Sequence, residues 1–388
     1  MVTILYSFLV YFSTALSLYY CGRVAANRYK IELQLSKKPS FLNWEIIASF
    51  VIFSFISGVR WNVGVDYLSY REEFLYLQEY GTALREFEPG FDFLTKTLAM
   101  LGVHYSIYFA ILAFLQIFII YTSFRDEKFI LPYVGLLIIL SIHYLSWMNG
   151  IRQMLAATIF VFAINFIYKR KIYLYVSSIL IASTIHQSAL ILLPFYFIFR
   201  HDIFFSRKVT LGLSLLTLII GLSPNWIVSI KSYAILLLGW LNYNGYVEQL
   251  NYLFDNSHAR RLGPRGLSTI FTLCIVIYYS KYLKKEFQGT KFSIYYNISI
   301  LGFLAYNLLH NTHHVFLRPV SYFTIFYLPM VSYLLVYLAR SKRKFLIPYA
   351  VTLFLSCAHV PLTVIADSNL GDKDYSNYKF YWFEDDTL

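Results

Sequence analysis

Three arginines, one aspartate and one histidine carry most of the chemistry available to this chain, and each lies at a break in an apolar run. The stretch Gly58-Val59-Arg60-Trp61-Asn62-Val63-Gly64-Val65-Asp66-Tyr67-Leu68-Ser69-Tyr70 holds the charged pair Arg60 and Asp66 just past one run. Arg152 opens another run within Asn149-Gly150-Ile151-Arg152-Gln153, and Arg318 a third within Leu317-Arg318-Pro319, where Pro319 suits a first helical turn. A guanidinium fork holds two phosphate oxygens at once, and a helix N-terminus adds free N–H groups and the positive end of its dipole. Arginines so placed suit a diphosphate. His186 interrupts the apolar stretch from Tyr173 to Phe199 within Thr184-Ile185-His186-Gln187-Ser188. A carboxylate or an imidazole can take the proton of an attacking hydroxyl, so Asp66 and His186 are the candidate bases. The bland readings are an interfacial anchor for each arginine, a turn for Asp66 and a hydrogen-bonded core residue for His186.

Other clusters carry less. Tyr243, Tyr246, Tyr252, Asp255, His258, Arg260, Arg261 and Arg265 share one polar stretch, whose arginines could bind an anion and whose aromatic rings suit sugar faces or an interfacial belt. His310, His313 and His314 have no acidic neighbour to complete a metal set, and no metal is expected. Cys21, Cys274 and Cys357 are widely spaced and suggest neither a disulfide frame nor a metal site. No Gly-rich phosphate loop, G-x-S-x-G or H-E-x-x-H occurs, so ATP hydrolysis, serine hydrolysis and zinc proteolysis lack motif support.

The elements that position these residues follow from hydropathy. Of the 388 residues, 58% are hydrophobic and 14% charged, too apolar for a surface facing water. The reading is all-α, a polytopic membrane protein with about twelve crossings, each needing about 20 apolar residues. Their approximate spans are 2–21, 41–59, 105–123, 129–147, 152–168, 172–185, 187–199, 209–223, 266–283, 292–309, 319–338 and 345–364. The stretch 172–199 goes out and returns, as two short helices or a re-entrant pair with His186 near the tip. Lys and Arg gather in alternate turns, near 23–38, 125–128, 169–171, 200–208, 281–291 and 340–344, which marks those turns as cytoplasmic. Both termini and two longer loops, 60–104 and 224–265, then face outward, and the net charge of +12 reads as topology, not a nucleic-acid footprint. The first apolar run lacks a basic start and a small-residue cleavage site, so it is read as a retained helix. Residues 1–388 form one membrane domain.

At these residues the chain resembles the EpsG-type family of Wzy-like bacterial polysaccharide polymerases. The matching pieces are Arg60 to Tyr70, Glu88-Pro89-Gly90-Phe91, Asn149 to Ala156, the basic turn Lys169 to Lys171, Ile181 to Leu190 around His186, and Tyr378 to Trp382. The resemblance covers about the first 200 residues and the C-terminus; residues 200–370 match mainly in hydropathy. It implies a multi-pass enzyme of the cytoplasmic membrane that joins undecaprenyl-diphosphate-linked oligosaccharide units on its outer face, without a cofactor. A chain-length regulator and a flippase are the implied protein partners. Arg60, Arg152, Tyr67, Tyr70 and Gln153 would hold diphosphate and sugars, joined by Arg318, Arg260 and Arg261, which their own chemistry and placement suggest and which lie outside the matching pieces, with Asp66 favoured over His186 as base by analogy with helical glycosyltransferases. Arginines and helix N-termini would counter the leaving diphosphate's charge, and single displacement would invert the anomeric centre. Competing readings are a secondary transporter or lipid-linked oligosaccharide flippase, a lipid-phosphate monosaccharide transferase or acyltransferase, and a structural assembly subunit. Glu45 is the one conspicuous charge inside a predicted helix.

Overall fold

The computed structural model describes residues 2–383 apart from 142, 202, nearly all of 224–262, 341–344 and 369–374. The described residues are helical, with no strand among them and one isolated bridge between Arg60 and Phe380. Among the described residues, seven helices are long and apolar enough to cross a membrane, or eight if the broken pair Lys128–Leu140 and His143–Asn149 is one span. A polytopic helical bundle stands, with fewer such helices than the twelve crossings expected. Helices Trp44–Gly58, Ile172–Ile185 and Arg207–Leu222 run 15, 14 and 16 residues, or about 21–24 Å at 1.5 Å per residue, short of a hydrocarbon core.

The chain alternates between two ends of the bundle. At one end lie the basic turns, locked by Lys291: its Nζ donates to Ser123 O and Asn165 Oδ1, both at 2.8 Å, and lies 3.2 Å from Glu127 Oε2. A buried ammonium is costly unless it is paired and hydrogen-bonded, and here every donor direction finds an acceptor from a different helix turn. Glu45 belongs to this end too: it sits in the first turn of α2 (Trp44–Gly58) and pairs with Arg28 at 2.8 Å. The helix dipole favours a carboxylate there, so the charge that looked internal by sequence marks a helix start.

The opposite end carries the stretch 60–104, which sequence reads as a loop and which folds into α3 (Tyr67–Tyr80) and α4 (Pro89–Met100). Pro89 opens α4 at the position where a missing N–H costs nothing. Glu73 Oε1 accepts the Leu84 N–H at 2.8 Å and ties the connecting turn down. Gly64 adopts φ 98°, and a Cβ there would meet Met148 O at 2.7 Å, so both conformation and space demand glycine. The C-terminal segment straps this end. Trp61 N donates to Lys379 O (2.8 Å), Gly64 N to Tyr375 O (2.9 Å) and Tyr381 N to Val59 O (3.0 Å), while the Tyr11 hydroxyl of α1 (Val2–Gln34) donates to Ser376 O (2.8 Å).

Candidate functional site

Four segments far apart in sequence meet at the strapped end. Arg152 is the second residue of α8 (Ile151–Tyr168), after Gly150 at its N-cap. Its Nη1 lies 2.5 Å from Glu88 Oε2, its Nε donates to the Tyr70 hydroxyl at 3.3 Å, and its guanidinium lies over the Phe87 ring at 4.3 Å. Nη2 has no protein partner among the described residues. Glu88 is the N-cap of α4, and its Oε1 accepts the Gln187 N–H at 3.0 Å. Burial raises the Glu88 carboxyl, but hydrogen bonds from Gln187 and its own backbone, with Arg152 and His186 beside it, outweigh burial and hold it below the ordinary glutamate value. Burial dominates at Tyr70 and keeps its hydroxyl protonated, despite Arg152.

His186 terminates α9 (Ile172–Ile185) in extended backbone before a 3-10 turn, Gln187–Leu192. Tyr175 OH donates to Leu192 O at 2.6 Å, bonding the two legs of this hairpin. At its break, His186 Nδ1 shares a proton with Ser188 Oγ at 2.8 Å, and Ser188 Oγ with Tyr322 OH at 2.9 Å, leaving Nε2 without a partner among the described residues. Glu88, Arg152 and Arg318 are the charges that act on the ring. Arg318 has an exposed side chain, and its carbonyl accepts hydrogen bonds from Gln153 Nε2 and Ser321 Oγ. It does not open a helix, as expected from Pro319. It caps the C-terminus of a short turn, His314–Leu317, and the next short helix begins at Ser321. The span Ser321–Arg340 starts three residues on, so Arg318 stands just outside that helix's N-terminus and not in its first turn.

The structure brings Arg152, Tyr70, His186, Gln153 and Arg318 together, with Asp66 close by. Asp66 is the N-cap of α3, its carbonyl accepts the Tyr70 N–H at 3.1 Å, and its own N–H donates to Asn149 Oδ1 at 3.0 Å, beside the start of α8. Arg60 goes elsewhere. It is 1% exposed, donates to Ser57 O and, at 3.2 Å, to Val63 O, and lies 4.6 Å from the Phe109 ring and 5.2 Å from Tyr67. Tyr67 is buried and stacked on Phe109 at 4.9 Å. In this conformation neither presents a surface to a substrate: charge patterning marks an arginine at a helix end without showing which way packing turns it. Arg260 and Arg261 lie outside the described residues. Sequence reasoning missed Glu88, Ser188 and Tyr322 as site residues. Glu88, a carboxylate before proline in a stretch facing an unpaired arginine, was the readable signal; Tyr322 gave none.

A cavity of about 460 Å³ adjoins the site, with Leu317, Val320, Ser321 and Thr324 in its wall. These residues belong to the same segment that Gln153 and Ser188 brace from the other side. His310 lines this cavity, its Nδ1 engaged by Asn307 O at 2.8 Å. His313 accepts the Val315 N–H at 3.4 Å as a cap, so His310 and His313 serve separate tasks.

The model of the EpsG family matches residues 43–380, which spans α2, the whole cluster and the C-terminal strap. The chain belongs to the EpsG family. No curated protein and no solved structure matches it. Membership implies a role in polysaccharide biosynthesis for this EpsG-family membrane protein, as a glycosyltransferase-like polymerase. The matched range includes Glu88 and Tyr322 as well as the residues that sequence singled out.

Proposed function

We propose that this protein polymerises undecaprenyl-diphosphate-linked oligosaccharide units by glycosyl transfer at the end of the bundle that carries Arg152, facing the outside of the cytoplasmic membrane. The observation that carries the reading is the convergence of Arg152, Arg318, Glu88 and His186 at one end of an otherwise apolar bundle. Polar groups gathered within a membrane domain mark a substrate path, and two guanidiniums with hydrogen-bonding capacity to spare suit a diphosphate.

In the reaction the acceptor hydroxyl attacks the anomeric carbon of the donor sugar. The bond from that carbon to the phosphate oxygen breaks, and its electron pair leaves with the lipid diphosphate. Arg152 and Arg318 counter the growing negative charge there. The hydroxyl proton passes to Asp66 or to His186 Nε2. Glu88 holds Arg152 and the hairpin tip in register, which makes it a positioning residue, as is Tyr70. The cavity behind Ser321 lies within the size of small-molecule sites, about 300–1,000 Å³, and is the reading's place for sugar rings.

The test supplies purified protein with a lipid-diphosphate repeat unit and resolves the products by length. A ladder supports polymerisation. A single addition indicates a monosaccharide transferase, and transport without product a carrier; either result overturns the proposal.

A further inference from the structure

At the end away from Arg152, a cavity of about 550 Å³ opens between the turn after α8, the residues Phe199, Arg200, His201 and Ile203, and the paired helices Pro264–Glu286 and Phe292–Leu309. Five fixed cations line it: Arg170, Arg200, Lys281, Lys284 and Lys285. Topology alone explains why cations lie at this end, but not why these five share one cavity with no carboxylate lining it among the described residues. Some other cations at the same end are matched by carboxylates: Arg28 with Glu45 at 2.8 Å, Lys169 with Asp126 at 4.0 Å, Lys291 with Glu127 at 3.2 Å, and Arg340 with Glu286. None of the five forms an ion pair among the described residues, and no carboxylate is among the lining residues; Asp202 lies outside the described residues. Lys284 is held 4.7 Å from the Phe204 ring, an attraction that leaves its charge uncancelled.

The remaining wall is divided. Gln288, Thr290 and Ser293 offer neutral hydrogen-bonding groups, while Ile167, Phe199, Phe287 and Ile294 form an apolar side. A small soluble anion has no use for that apolar side; a lipid does. Five cations also exceed what a single phosphate would balance. We propose that this cavity binds the headgroup of an anionic lipid carrying two phosphates, with its acyl chains along the apolar wall. Basic pockets between membrane helices are suited to such headgroups. The site is remote from the Arg152 cluster and stands whether or not the polymerase reading holds.

The test uses the full chain purified in neutral detergent, with cardiolipin, phosphatidylglycerol and inorganic pyrophosphate as probes and native mass spectrometry as readout. Cardiolipin is expected to remain bound in preference to phosphatidylglycerol. Replacing Lys281, Lys284 and Lys285 together by Gln should weaken cardiolipin about a hundredfold, while the triple change to Arg retains it. Because losing lysines can disturb insertion, the pair Arg170→Gln and Arg200→Gln, from two other segments, provides a second variant, with an expected loss of about thirtyfold. Equal cardiolipin on wild type and both Gln variants overturns the proposal. Pyrophosphate retained without any lipid preference also overturns it, by assigning the cations to a soluble anion.

Discussion

Arg152 and Arg60 are both arginines at helix ends facing the same side of the bundle, yet their surroundings assign them opposite tasks. Arg152 keeps a nitrogen without a protein partner, so Arg152→Ala is expected to cut polymer yield more than tenfold while the protein still inserts and purifies. Arg152→Lys should lose nearly as much, because an ammonium lacks the planar fork. Arg60 is buried, with Nε and Nη1 on the Val63 and Ser57 carbonyls and Nη2 enclosed without a partner among the described residues, so burial and not saturation keeps it from a substrate. Arg60→Ala should therefore lower stability, by about 1–3 kcal/mol for the buried carbonyls left unpaired, which a thermal melt in detergent would reveal. An Arg60→Ala protein with unchanged melting and no activity would return Arg60 to the substrate. At Glu88 the carboxyl is held below its unfolded value of about 4.3, so its stabilising contribution is complete above that pH and is lost as pH falls through the lower folded value. Wild type should lose thermal stability below about pH 4.3 by an amount that Glu88→Gln does not show. Asp66→Asn and His186→Ala decide the base: the one that loses turnover while still binding the lipid substrate holds that role.

At the scale of elements, the site depends on how closely α4 approaches the α9 hairpin. Gly90, two residues after Glu88, is the contact point: a Cβ there would lie 2.8 Å from the Thr184 Cβ and 2.9 Å from the Thr184 carbonyl oxygen. Backbone cannot yield as a flexible side chain can, so Gly90→Ala should push α4 off the hairpin and separate Glu88 from Gln187. Activity is expected to fall at least tenfold, with helix content unchanged by circular dichroism. Wild-type activity would mean that the hairpin tip needs no support from α4.

At the scale of the whole molecule, the C-terminal strap joins the first helix to the segment bearing Asp66. Tyr378 is fully buried, its hydroxyl donates to Ile56 O at 2.6 Å, and its N–H donates to Ser7 Oγ at 2.8 Å. Tyr378→Ala should cost about 3–5 kcal/mol, as for other large buried rings, and should increase protease cleavage within 60–104 before the membrane helices melt. Cleavage at the wild-type rate would show that the strap is dispensable.

Hydropathy and charge are properties of short windows, so the sequence by itself determined the helical membrane class, the alternation of basic turns and, through local strings such as Asn149 to Ala156, the family. It also marked His186 as a break, because a polar cluster inside an apolar stretch signals one at any tertiary arrangement. Window hydropathy does not fix the number of crossings, since it cannot separate a full span from a short leg such as Ile172–Ile185. Only the tertiary structure decided which polar groups meet. Glu88 reaches Arg152 across 64 residues and Gln187 across 99, and Ser188 reaches Tyr322 across 134. Such pairings follow from the packing of helices far apart in the chain, which also turned Arg60 inward and left Arg152 partly exposed beside Glu88.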